Sequence, residues 1–375
     1  MTFNPPLLPL HPDSASAMKM GRFVVDSHVH AQRFAAGKSL QQKLTAPAAA
    51  APESEEYKKL HEQLTYELQP YDNSARLLYD MGCYGVDMCI LTSAFNMTNE
   101  LNLQIVKAHP DKFVALAYGD KYRQHIQRTG EEWTAAGAAQ ELDELLATGN
   151  FVGIGEGFPQ DPNLGAKRKR VDRHLRLDEM SHFMTVARKY KVPVRYHVGL
   201  TMGYSTGYCR GSGANPETFN PLWVHDLAME FPDVPIIFEH GGVQAWWWEK
   251  WYEECLNVAA ATDNVYLETG TWWTELYEKP LRDPNIGAKK LLWGTDWGAS
   301  IPVEWTPGSH PETYICQRRK TPPVRHQVDV MGWSLKQIGR LNIPQDDLNL
   351  ILGGNAARLY RLKLPHTRLF PFVDE

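Results

Sequence analysis

The chain has 375 residues, 43% of them hydrophobic, and a formal charge of −5 at pH 7. That hydrophobic share suffices for a large core, and the weak acidity excludes the broad basic field that nucleic acid demands. No stretch is long and apolar enough to suggest a membrane span. The five cysteines, Cys83, Cys89, Cys209, Cys255 and Cys316, are odd in number and lack zinc-knuckle spacing. Free thiols in a reducing compartment are therefore expected. The first twenty residues carry no charged n-region followed by a long apolar run, so we expect no signal peptide and a cytoplasmic protein.

Short apolar runs alternate with amphipathic ones along the chain. Strand-like segments cover residues 23–30, 88–92, 113–118, 152–156, 192–197, 235–240, 265–268 and 291–296. Each is rich in β-branched, aliphatic or aromatic side chains, as a buried parallel strand requires. Helix-like segments lie between them, at 131–147, 177–190, 221–230 and 244–260. Eight such β/α units predict one (β/α)8 barrel of TIM type, with residues 1–375 forming a single domain. Residues 31–76, Ala/Pro-rich and then charged, read as an insertion after the first strand, either a lid or a solvated excursion. A long loop from Ile301 to about Val328 follows the eighth strand.

The first segment ends in Asp26-Ser27-His28-Val29-His30. Alternate residues of a strand share a side, so His28 and His30 project together, and two converging imidazoles suit Zn, Fe or Mn. Asp26 has the same parity and is placed to orient a ligand histidine from behind. A surface-facing histidine pair is the competing reading. Four more runs end in metal-capable side chains: Glu156, His197, His240 and Asp296. In a barrel all these ends meet at the C-terminal face. Glycines after Glu156 and His240 allow the backbone to turn close to a ligand. Arg195 shares the parity of His197, which predicts an inward guanidinium pairing either a substrate carboxylate or an acid behind the ligands; a buried structural arginine is the alternative. Trp246, Trp247, Trp248, Trp251 and Tyr252 crowd one helix, which predicts burial on several sides, in the core, in a pocket, or in a homo- or hetero-oligomer interface.

Paired histidines on strand one, histidines on strands five and six, and an aspartate on strand eight resemble the amidohydrolase superfamily. The segment Ile-Leu-Gly-Gly-Asn-Ala-Ala-Arg-Leu-Tyr at 351–360 is similar to the closing motif of its amidohydrolase-2 branch. That branch contains aminocarboxymuconate semialdehyde and resorcylate-type decarboxylases together with hydrolases, and the likeness runs from about Phe23 to Leu362. The resemblance implies a metal-dependent hydrolase or non-oxidative decarboxylase acting on a small carboxylated substrate. It also implies that Asp296 is ligand and general base. Glu156 departs from the branch's one-metal decarboxylases and resembles the bridging strand-four glutamate of TatD-like enzymes. On that likeness two divalent metals (Zn, Fe or Mn) bind per chain, one on His28, His30 and Asp296, the other on His197 and His240, with Glu156 between. With one metal, His28, His30, His197 and Asp296 hold it, and His240 becomes an acid/base group. Two alternatives accompany this reading. One is a dinuclear non-haem iron oxygenase of the 2-aminoisobutyrate hydroxylase type, and the other is a non-catalytic partner subunit that keeps its metal for stability.

Overall fold

The structure is a computed structural model describing residues 23–34, 70–93, 97–156, 172–198, 220–243, 248–270, 272–298 and 330–363. Strand β1 (Val25–Val29) leads into a small antiparallel ladder of β2 (Gln32–Phe34) with β3 (Pro70–Asp72). β1 also pairs in parallel with β4 (Met88–Leu91), and β4 with β5 (Phe113–Ala115). A second parallel ladder runs β6 (Val194–His197), β7 (Ile236–Glu239), β8 (Val265–Glu268) and β9 (Leu291–Leu292).

Two seams turn these ladders into a ring. Ile154 bridges in parallel both to Ala117, just beyond β5, and to Val194 in β6. The amide of Ala117 donates to Gly153 O at 2.8 Å, and that of Arg195 to Ile154 O at 2.8 Å. On the far side Val29 bridges to Trp297, while the Ser27 amide donates to Trp293 O at 3.1 Å. Residues 152–156 are thus the fourth stave, and eight staves close in chain order into a (β/α)8 barrel. That stave carries Gly153 and Gly155 where it crosses Arg195. A Cβ on Gly155 would come within 2.9 Å of Arg195 Cβ.

Helices occupy the gaps: α1 (Ser74–Tyr84), α2 (Asn99–Ala108), α3 (Lys121–Thr129), α4 (Ala135–Ala147), α5 (Arg173–Tyr190), α6 (Leu222–Glu230) and α7 (Trp248–Ala261). Their ends follow local chemistry. Asp172 caps α5 by accepting the His174 and Leu175 amides, Thr98 and Thr134 cap α2 and α4, and Gly85 closes α1 at φ 66°. Of the tryptophan-rich helix, Trp251 and Tyr252 are buried, Trp272 packs edge-on to Tyr252 at 5.4 Å between ring centroids, and Trp246 and Trp247 lie outside the described residues.

The core has two parts. The larger joins the outer faces of the strands to the helices, with Val24, Val29, Ile236, Phe238 and Leu267 among its members. The smaller fills the barrel itself, with Val25, Ile90, Leu116, Ile237, Tyr266 and Leu292, floored by Ala356, Leu359 and Tyr360. Those last three belong to the closing motif. It enters as a π-helical turn at Leu350–Gly354, where Gly353 lies against the backbone of Phe23, and continues as a helix, Asn355–Tyr360. The Asn355 side-chain amide donates to Ala288 O and Leu291 O, both at 2.8 Å, fixing the entry to β9.

The expected insertion, Ala31 to about Arg76, runs into α1, which begins at Ser74. Its two ends meet in the β2–β3 ladder, with Gln32 opposite Asp72 and Phe34 opposite Pro70. Residues 35–69 and the loop 301–328 lie outside the described residues.

Ile237, fully buried in the barrel interior, supplies a test of this packing. Ile237→Ala should lower unfolding free energy by about 2–5 kcal/mol. Leu175→Ala, at a 66% exposed position, should change it by no more than about 0.5 kcal/mol. Urea unfolding of both variants checks the contrast.

Candidate metal centre

The barrel brings the strand ends together at one face. His28 lies in β1 with His30 just beyond it; His197 ends β6, His240 follows β7, and Glu156 and Asp296 close the fourth and eighth staves. His28 Nε2 lies 3.2 Å from His30 Nε2, and 3.5 Å and 4.0 Å from Asp296 Oδ1 and Glu156 Oε2. His30 Nε2 lies 3.2 Å from Asp296 Oδ1 and 3.3 Å from Glu156 Oε2. His197 Nδ1 is 2.9 Å from Glu156 Oε1. The rings of His28 and His240 stand 5.0 Å apart, and those of His197 and His240 5.5 Å.

Two overlapping donor groups result among the described residues. One is His28, His30 and Asp296, the trio expected around a first metal. The other is His28, Glu156, Glu239 and His240, in which Glu239 stands where His197 was expected. His197 remains attached to this second group through Glu156 and lies 3.4 Å from Glu239 Oε2.

The imidazoles are held from behind. His30 Nδ1 meets Thr92 O at 3.1 Å, and His28 Nδ1 meets Glu268 Oε2 at 3.0 Å, so both Nε2 atoms face the centre. Such outer partners set tautomer and ring orientation in histidine ligands. His240 and Asp296 adopt left-handed backbone, at φ 57° and 53°. That conformation costs roughly 1–2 kcal/mol per non-glycine residue. At His240 it is secured by the Trp272 indole, which donates to His240 O at 2.7 Å. At Asp296 the flanking residues are anchored. Thr295 bonds to Asp26, and the Trp297 indole donates to Asp80 Oδ2 at 2.9 Å.

Asp26 has a different part from the one its parity suggested. The β1 register shifts between Asp26 and Val29, so Val25 and His28, three residues apart, both face the barrel interior. The Asp26 carboxylate accepts the His28 amide at 3.1 Å, the Thr295 amide at 3.0 Å and the Thr295 hydroxyl at 2.5 Å. It therefore laces β1 to the eighth stave and orients no imidazole. Burial pushes its carboxyl up to about 7, against the pull of the Thr295 and His28 hydrogen bonds.

Arg195 points inward, as expected, and is fully buried. Its Nε lies 2.8 Å from Glu239 Oε1, its Nη2 3.4 Å from Glu268 Oε2, and its Nη1 donates to Ser27 O. The guanidinium is thus turned onto acids behind the ligands. Glu239 and Glu268 were overlooked in the sequence, although each ends an apolar run, Ile-Ile-Phe-Glu and Val-Tyr-Leu-Glu, as the six expected residues do.

The electrostatics call for cations. Burial raises Glu156, Glu268 and Asp296, but the surrounding histidines overcome it and hold all three below the usual carboxylate range, Asp296 at about 2. Burial and Arg195 press His28 down, yet Asp296, Glu268 and Glu239 lift it to about 9. His197 is lifted to about 10 by Glu156 and Glu239 despite its burial. Burial leaves His240 below its ordinary value. Glu156 Oε2 and both ring nitrogens of His240 are buried with no hydrogen-bond partner. Buried polar atoms are rarely left so. Imidazole and carboxylate donors that converge with idle lone pairs fit a divalent metal.

Residues 91–362 match the family model described as Amidohydrolase, and the chain belongs to that family. Solved structures of similar fold include an amidohydrolase from Burkholderia multivorans with bound HEPES, 13% identical, covering 91% of this chain and 100% of that one at a TM-score of 0.50. A probable 2-pyrone-4,6-dicarboxylic acid hydrolase from Acinetobacter baumannii with citric acid bound is 14% identical, with coverages of 90% and 99% and a TM-score of 0.48. The dihydroorotase of Saccharomyces cerevisiae is 12% identical, with coverages of 93% and 86% and a TM-score of 0.42. No protein of curated function matches the sequence.

Removing the guanidinium beneath the centre would strand Glu239 and Glu268. Arg195→Met should therefore destabilise the fold by about 3–5 kcal/mol, read as a lower urea midpoint at an unchanged slope.

Proposed function

We propose that the chain is a metal-dependent hydrolase or non-oxidative decarboxylase acting on a small carboxylated substrate, with two divalent metals per chain. The observation that carries the reading is the convergence of His28 Nε2, His30 Nε2, Asp296 Oδ1 and Glu156 Oε2 within 3.2–4.0 Å contacts at the barrel's C-terminal end. Glu156 supports the number two, because its oxygens reach opposite sides of the centre, Oε2 to His30 Nε2 at 3.3 Å and Oε1 to His197 Nδ1 at 2.9 Å. His28, His30 and Asp296 would hold one ion, His240 and His197 the other, and Glu156 the space between.

A bound cation of this kind lowers the pKa of water toward ~7 and polarises a substrate oxygen. The chain's own residues do the rest. Asp296, set at a left-handed turn, presents a carboxylate to accept a proton. If a single metal bound instead, His240 would be free of ligation and could deliver a proton to a leaving group. With Arg195 occupied by Glu239 and Glu268, a substrate carboxylate would meet the metal centre itself. Glu156, poised between His30 and His197, also suits a dinuclear iron oxygenase, which is the second reading.

Elemental analysis of fully loaded protein should give two metals per chain, falling toward one in Glu156→Gln; a wild-type value of one overturns the dinuclear assignment. Chelator-stripped protein reloaded with zinc should turn over carboxylated substrates without O2. Turnover confined to iron, O2 and a reductant would reject the hydrolase and decarboxylase reading in favour of the oxygenase.

A further inference from the structure

Glu268 is absent from the expected ligand set, yet the centre is built around it. It ends β8 and is fully buried. One oxygen, Oε2, lies 3.0 Å from His28 Nδ1, accepts the His240 amide at 2.9 Å, and stands 3.4 Å from Arg195 Nη2. Two glycines leave room for this carboxylate. A Cβ on Gly270 would come within 2.8 Å of Glu268 Oε1, and a Cβ on Gly294 would collide with Oε1 and approach Cδ to 3.0 Å.

We propose that Glu268 is a positioning residue that fixes the β1 and β7 metal ligands against one another. Its single oxygen holds the far nitrogen of His28, which leaves Nε2 facing His30 and Asp296. The same oxygen holds the main chain of His240 where it turns left-handed. One atom thus ties the His28 ring to the His240 main chain, and the two rings stand 5.0 Å apart. Arg195 secures that atom from below. An aspartate at position 268 would be too short to reach both partners, and bulk at Gly294 would push the glutamate away from them. The inference rests on the metal reading above and extends it to a residue that need not touch metal or substrate.

The test compares full-length wild type, Glu268→Gln and Gly294→Ala. Zinc affinity is measured by competition with a chromophoric chelator, well below each melting temperature, so that lost stability does not enter. Glu268→Gln should bind zinc about 10–100-fold more weakly. Gly294→Ala keeps the charge but crowds Glu268, and its methyl also approaches His28 Cβ to 3.1 Å, so it should weaken binding in the same direction. Nitrogen-15 spectra of the metal-free protein, taken at a pH where His28 has lost its second proton, should show the remaining proton on Nδ1 in wild type and redistributed in Glu268→Gln. Wild-type zinc affinity in a folded Glu268→Gln, or in Gly294→Ala should the first variant fail to fold, overturns the proposal. A wild-type chain that takes up no zinc or other divalent metal overturns the metal reading itself, and this inference with it.

Discussion

The burial of Glu239 and Glu268 against one guanidinium, with two further carboxylates among the histidines above, dominates this molecule. Isolated buried charges are costly enough that proteins pair them or place a cation beside them. Here Arg195 sits in the barrel with Glu239 and Glu268 against it, and Glu156 and Asp296 lie above among the histidines. The imidazoles compensate the excess when they carry protons, and metal ions would displace those protons to take their place. One electrostatic requirement therefore links the stability of the barrel to the chemistry at its mouth.

The barrel keeps that requirement local by layering. Below Arg195 the interior is apolar, from Val25 and Ile237 to Tyr266, and is floored by Ala356, Leu359 and Tyr360. The floor comes from the closing Gly-Gly-Asn motif, whose Gly353 permits contact with the start of β1 and whose Asn355 fastens the start of β9. A motif that looks functional in sequence thus does structural work at the end opposite the metal centre.

Much of this was legible in the sequence for a physical reason. Parallel buried strands are apolar throughout, so a histidine, aspartate or glutamate at the end of such a run stands out. That contrast located His28, His30, Glu156, His197, His240 and Asp296, and the structure brings all six to one face. The same contrast was present at Glu239 and Glu268 but was masked, in the first case by the adjacent His240. Parity arguments fared less well. They assume an unbroken pleat, and the register shift in β1 puts Val25 and His28 on one side and sends the Asp26 carboxylate to Thr295. Arg195 was rightly turned inward, but its partners depend on three strands meeting, which no local pattern records.

The β2–β3 ladder has a consequence for how such a protein changes over time. The chain leaves the barrel directly after His30 and re-enters just before α1 at nearly the same point, with Asn73 N–H on Ala31 O at 3.0 Å. Once two ends are clasped, lengthening the segment between them adds only ~0.6 kcal/mol of closure entropy per doubling. The clasp thus makes positions 35–69 an exchangeable cassette. Evolution, or an engineer, can resize that segment at little entropic cost while the clasp and the histidine pair keep their place.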